Sequence, residues 1–211
     1  IFHVDDAADI LELESTEDAE MQGGSSPLDT PYLQATPWQL WRKRVGWLLI
    51  LFVAEAYTGT VLRAFEEQLE AAIALAFFIP LLIGTGGNSG TQITTTIVRA
   101  MAVGEVSLKN LGTVLKQELS TGLLISVVAV IVTKKRAWSL GVGPEIGMVV
   151  TLTIIAIVLW SATVASIIPM VLRRLRIDPA VVSAPFISTL VDGTGLIIYF
   201  EIAKWLLPEL Q

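Results

Sequence analysis

From Val45 onward the chain alternates between long apolar runs and short polar or charged stretches. Val45–Leu62 carries one charge, Glu55, and Ala71–Val98 is 28 residues with none. Leu119–Thr133 is 15 uncharged residues and reaches spanning length only by extending back through Leu111. Ile146–Leu172 is 27 uncharged residues; Pro179–Phe200 carries only Asp192 and continues apolar to about Leu207. A helix crosses a bilayer core with about 20 apolar residues. The pattern therefore predicts five transmembrane helices and an all-α integral membrane fold.

A different pattern precedes them. Residues 4–21 predict a helix, with Asp5, Asp9 and Glu12 on one face. Gly23-Gly-Ser-Ser-Pro27 breaks it, and Pro31 and Pro37 predict irregular chain beyond. Three regions follow: 1–22, an acidic amphipathic connecting helix; 23–44, a linker and membrane-interface segment; 45–211, the five-helix membrane domain.

Composition agrees. Of 211 residues, 53% are hydrophobic and 16% charged, against about a quarter charged in soluble domains. The net charge of −6 sits in residues 1–44, where nine acids face three bases; the remainder balances at eleven of each. No basic surface is left for nucleic acid. Cysteine is absent and the one histidine is His3, which excludes thiolate chemistry and a histidine base inside the membrane body. The acidic start is not a signal peptide, and a chain beginning at Ile1 reads as part of a longer protein. Basic groups at Arg42-Lys-Arg44, at Arg99 and Lys109, and at Arg173, Arg174 and Arg176 place the N-terminus in the cytoplasm and the C-terminus outside. Lys134, Lys135 and Arg136 oppose that assignment.

Polar residues inside the spans carry the chemistry. An acid at a helix centre in a bilayer costs at least ~2.5 kcal/mol and faces a cavity or a partner. Asp192 lies in Thr189-Leu-Val-Asp-Gly-Thr-Gly195, and Pro185 is expected to free a carbonyl one turn earlier in the helix. A carboxylate beside carbonyl oxygens suits Mg²⁺ or Ca²⁺. Pro80-Leu-Leu-Ile-Gly-Thr-Gly-Gly-Asn-Ser-Gly-Thr-Gln92 is a small, polar run in which Gly84, Gly86, Gly87 and Gly90 permit close helix contact or local unwinding. Its Asn88, Ser89, Thr91 and Gln92 exceed what packing needs and fit a water-filled path. Glu55 faces the path or a polar partner, Glu201 lies near the outer mouth, and Glu118 pairs with Lys116 at the interface. A protease is excluded: Gly87-Asn-Ser-Gly90 has no histidine base, and Asp192-Gly-Thr-Gly195 has no second mid-span Asp.

These motifs resemble the MgtE family of magnesium channels and transporters. The resemblance rests on Pro80 with Gly84-Thr-Gly-Gly-Asn-Ser-Gly-Thr-Gln92, Val98-Arg-Ala100 with Gly104-Glu105, Asp178-Pro-Ala180, Ser183 with Pro185, and Asp192 through Phe200. Val4-Asp-Asp6 and Ser15-Thr-Glu-Asp18 are similar to the family's connecting (plug) helix. The resemblance implies a homodimer in the cell membrane with its ion path at the dimer interface, and no catalytic residues. It implies Asp192 and Ser188 as the residues that meet a hydrated Mg²⁺, the Ser188 carbonyl facing the ion, with Asn88, Gly87, Gly84 and Pro185 along the pore. Mn²⁺, Co²⁺ or Ca²⁺ are expected to substitute. It also implies that Asp6, Glu14, Glu17, Asp18 and Asp178 hold regulatory Mg²⁺ that keeps the gate shut, and that cytosolic N and CBS sensor domains belong to the longer chain. A carrier coupled to H⁺ or Na⁺ is the alternative, with Glu55 or Glu201 relaying protons.

Overall fold

Pro37 starts the first span instead of breaking the chain ahead of it. Thr36 caps that helix: its hydroxyl accepts from the Gln39 amide, and the Gln39 side chain returns a bond to the Thr36 backbone. Proline fits this first position because its missing N–H would have had no helical partner. The computed structural model describes residues 4–210, with side chains from Asp9 onward except Glu209. Its helices are α1 (Val4–Gln22), α2 (Pro37–Ala64), α3 (Glu66–Ala71), α4 (Ile79–Ala102), α5 (Leu111–Ser139), α6 (Pro144–Arg174) and α7 (Ala184–Leu206). Five are long and apolar enough to cross a membrane, beginning at Pro37, Ile73, Leu108, Pro144 and Ala184. The second differs from the uniform helix the sequence predicts. Ile73–Phe78 forms a 3₁₀ segment before Ile79, and the chain turns into it at Ala72, which is not helical.

The spans run up and down, and α6 is the hub. It packs against α5, α4 and α7, while α2 rests mainly on α7. More than half of its apolar window is buried (56%), against 17% for α2 and for α5, so α2 and α5 present the broad outer faces. Without a hydrophobic drive between helices in lipid, close packing and interhelical hydrogen bonds hold such a bundle together. Here the glycines of α4 supply the closeness. A Cβ on Gly86 would lie 2.5 Å from Ile157 and 2.7 Å from Val191; one on Gly90 would lie 2.6 Å from Ile187 and 2.7 Å from the Ser161 hydroxyl. Ser161 Oγ donates to the Gly86 carbonyl at 2.6 Å. The helix stays α-helical through the whole run, so these glycines serve contact and not unwinding. Trp160 Nε1 donates to Thr194 at 2.8 Å, and the buried Tyr199 hydroxyl donates to the Leu75 carbonyl at 3.0 Å.

One end of the bundle, here the near end, gathers the starts of α2, α5 and α7 and the ends of α4 and α6. Arg173 donates to the Met101 carbonyl at 2.6 Å, and Trp47 Nε1 to Ser183 Oγ at 2.9 Å. Trp47 is thereby a brace between α2 and α7. The acidic α1 packs against the 3₁₀ turn Pro179–Val181 that leads into α7. Trp38 and Trp41 stay exposed and stack at 4.5 Å, as expected of residues at a membrane boundary.

The packing separates two classes of glycine. Gly90→Val should destabilise the protein by about 1–3 kcal/mol through overpacking, read as a lower Tm in detergent. Gly59→Ala in α2 meets nothing within 4 Å and should leave Tm unchanged or higher, since alanine favours helix.

Candidate ion site

The last span is built to carry a carboxylate. Ser183 caps α7, its Oγ accepting from the Phe186 amide at 3.3 Å. Pro185 occupies the first helical turn. The carbonyl four residues before it belongs to Val181, ahead of the helix, so Pro185 releases no carbonyl inside the span, contrary to the sequence expectation. It sits half-buried under the linker, its Cγ 3.4 Å from where a Gly24 Cβ would be. Asp192 follows eight residues after Ala184, which at 1.5 Å per residue is about 12 Å into the span.

Around Asp192 the helices approach without offering it a donor. Its Oδ1 is buried and has no hydrogen-bond partner among the described residues, while the residue as a whole is only half-buried. A Cβ on Gly87 would stand 3.5 Å from that oxygen and 2.5 Å from the Ser188 hydroxyl. Ser188 lies within unbroken α-helix, so its hydroxyl, not a freed carbonyl, is the group turned toward α4. On the other side, a Cβ on Gly193 would lie 2.8 Å from the Tyr57 ring and 3.2 Å from the Thr58 hydroxyl. That hydroxyl is also buried and unpartnered. Glu55, exposed on the same stretch of α2, is close enough for its charge to act on Asp192. Burying a polar oxygen unpaired costs roughly 1–3 kcal/mol, so Asp192 Oδ1 is held at a cost that packing alone does not explain.

The other sequence-predicted residues fall in different places. Asn88 and Gly84 are exposed on the outer face of α4, in line with Pro80. Glu201 forms an ion pair with Lys204 at 3.2 Å, and that ammonium sits 5.7 Å from the Phe65 ring. Glu118 is half-buried beside Gln92 and Thr96 and makes no ion pair with Lys116. Residues two apart on a helix point in different directions, which is why the expected pair does not form. Thr58, Ser161 and Tyr57 were not singled out from sequence; polar residues on neighbouring spans carry no sequence mark of which glycine they will face.

At the near end, Asp18 is the contact point of the acidic helix. Its carboxyl is pushed above the usual carboxylate range, first by burial, then by the charges of Asp178 and Glu14, with Arg99 opposing. Asp178 spends one oxygen on the Ala180 amide at 2.9 Å. Glu17 borders the cleft between Met21, Trp47 and Val181, and Glu14 is exposed. The Asp6 side chain lies outside the described residues. Among the described residues no three His, Cys, Asp or Glu side chains converge into a preformed metal cage.

A five-span helical bundle that buries an unpartnered carboxylate oxygen inside its last span fits a membrane transport protein. Residues 79–202 match the family model MgtE, described as a divalent cation transporter. The chain is similar to the magnesium transporter MgtE of Thermus thermophilus, 41% identical over 208 residues that make up 98% of this chain and 46% of that protein. It is 32% identical to the magnesium transporter MgtE of Enterococcus faecalis, over 97% of this chain and 44% of that protein. The Bacillus subtilis magnesium transporter MgtE is 31% identical, over 96% of this chain and 45% of its own length. The chain belongs to the MgtE family, a family of transporters and not of enzymes, and spans somewhat under half the length of these curated relatives.

The raised Asp18 fixes a sign for α1. Ionising Asp18 opposes docking, so docking is strongest below the ordinary carboxylate range and weakens as pH rises through the elevated pKa. At neutral pH, Asp18→Asn should therefore slow hydrogen exchange of the α1 amides relative to wild type without divalent cation, and adding Mg²⁺ should shrink the difference.

Proposed function

We propose that this chain forms the membrane pore of a magnesium channel and passes hydrated Mg²⁺ between two copies of itself. The observation that carries it is the buried, unpartnered Oδ1 of Asp192 midway along an apolar span. A carboxylate left without a donor is available to a cation. Mg²⁺ keeps most of its water and takes one or two carboxylates, so one Asp192 from each subunit on a two-fold axis attracts it without stripping it. A cage of many acids would hold the ion too tightly to conduct. Pro80, Gly84 and Asn88 support the dimer. They expose a small, polar face of α4 at membrane depth, which fits a second copy and water better than lipid. Ser188 and Gly87 then border the ion beside Asp192. Mn²⁺, Co²⁺ and Ca²⁺ are the expected substitutes, being hard or borderline cations that oxygen accepts.

The same reading makes α1 the gate. It docks on the turn that starts α7 and brings Asp18, with Glu14 one turn earlier on the same helix, toward Asp178. Mg²⁺ collecting on these acids, with Glu17 and Asp6 on the same helix, removes their repulsion and keeps α1 seated. The near end, rich in arginine, faces the cytoplasm. A carrier coupled to H⁺ remains the second reading, because Glu55 is exposed and acts on Asp192; Glu201 is occupied by Lys204.

Asp192→Ala should abolish Mg²⁺ flux into proteoliposomes while the dimer still elutes intact. Asp192→Asn keeps the shape and loses the charge, and should cut flux at least tenfold. Normal conduction by the Asn variant refutes the pore assignment. Flux that follows membrane potential alone supports a channel; flux that requires a pH or Na⁺ gradient favours the coupled carrier.

A further inference from the structure

The far end of the bundle carries a basic cluster that neither the pore nor the gate uses. Lys134, Lys135 and Arg136 lie near the end of α5, all exposed, and none forms an ion pair among the described residues. The uncharged run of α5 ends at Thr133 and that of α6 begins at Ile146, so the far membrane boundary falls near Lys134. One turn beyond it Trp138 stands 85% exposed, as an indole at the headgroup level does. Gly141, at φ +66°, ends α5, and the chain reverses into α6 at Pro144. Between the two helices this corner leaves a groove of about 560 Å³. Lys134 and Trp138, at i and i+4 on α5, form one wall; Pro144, Met148 and Leu152, at i, i+4 and i+8 on α6, form the other. Gly143 and Gly147 keep it open, since a Cβ on either would meet nothing within 4 Å. Thr151 spends its hydroxyl proton on the Gly147 carbonyl at 2.7 Å. The groove therefore offers one cation, Lys134, and otherwise mainly hydrocarbon.

We propose that this groove holds one phospholipid with an anionic headgroup, its phosphate on Lys134 and an acyl chain against Met148 and Leu152. The groove straddles the level where hydrocarbon meets headgroups, and a lipid supplies both chemistries there. Its volume falls in the ordinary range of ligand sites, about 300–1,000 Å³. A lysine ammonium binds phosphate as a point charge. Successive helical residues point about 100° apart, so Lys135 and Arg136 stand off the groove and add positive potential without lining it. Residues 134–147 hold these three bases and one acid, Glu145, which favours an anionic headgroup over a zwitterionic one. A second copy fits less well, because a two-fold contact here sets the bases of each subunit against their own kind. The bound lipid ties the outer helix α5 to α6, the hub of the bundle. None of this depends on the pore reading.

Dioleoylphosphatidylglycerol is the probe, with dioleoylphosphatidylcholine as the zwitterionic control. In native mass spectra from detergent the chain should retain the first more strongly than the second, and the first should raise Tm more. Lys134→Gln, an exposed change that leaves the fold intact, should weaken phosphatidylglycerol binding about threefold, the scale of one exposed ion pair. Lys135→Gln removes the same charge outside the groove and should cost clearly less. Gly147→Leu keeps the charge but fills the groove, and should weaken both lipids. Equal losses in Lys134→Gln and Lys135→Gln mark diffuse attraction to the basic turn and overturn the site. So does binding that neither Lys134→Gln nor Gly147→Leu changes, or equal retention of the two lipids by the wild type. Matching stabilisation by inorganic phosphate at the same concentration assigns Lys134 to a free anion and overturns the lipid. Loss of the dimer in Gly147→Leu makes the groove a subunit contact and overturns it as well.

Discussion

The close approach of α4 to α6 and α7 is the constraint on which the rest depends. Three glycines, Gly86, Gly87 and Gly90, leave no room for a side chain where they meet Ile157, Val191, Ser188 and Ile187. In lipid this contact cannot draw on the hydrophobic effect, so its stability comes from dispersion and from bonds such as Ser161 to the Gly86 carbonyl. The same closeness shuts water and donors away from Asp192 Oδ1. A bulkier α4 would push α7 outward and shift the position of that oxygen. Packing and chemistry are therefore set by the same residues.

That constraint also explains the excess of polar groups in α4. The helix turns its glycines toward α6 and α7, Pro80, Gly84 and Asn88 outward, and Ser89, Gln92 and Thr96 toward α5. A single helix thus carries close packing on one side and, on the other, an exposed row that runs from Gly84 through Asn88 and Gln92 to Thr96. A run of thirteen residues that looks redundant as a packing motif is not redundant once it is wound into 3.6 residues per turn.

The spans were legible in the sequence because a bilayer demands about 20 apolar residues and few charges, and all five appear. Their ends were less so. Pro37 and Pro185 look like breakers in a string of letters, yet both occupy first turns, where the preceding Thr36 and Ser183 cap the helix. The distinction lies in the capping residue as much as in the proline. Asp192 was legible for the opposite reason: it is the lone charge in its apolar run. What meets its helix was not, since Gly87 lies against Asp192 and Ser188, and Tyr57 and Thr58 against Gly193, from other spans. Glu118 and Lys116 are neighbours in sequence but not in space, since residues two apart on a helix point in different directions.

The near end connects these features along a single mechanical path. Helix α1 bears on the turn Pro179–Val181; Asp178 caps that turn, and Trp47 of α2 holds Ser183, the cap of α7. Any force that α1 applies therefore enters at the first turn of the helix that carries Asp192, about two turns away. The electrostatics of the docked state give that force a direction. Burial raises the Asp18 carboxyl most, the charges of Asp178 and Glu14 raise it further, and Arg99 opposes them. In the proposed gate, cations that collect on these acids ease their repulsion and hold α1 seated, which needs no preformed cage. The absence of three converging ligands among the described residues is then consistent with the proposed gate. Diffuse neutralisation responds gradually to cation concentration, whereas a tight cage would saturate and stop reporting it.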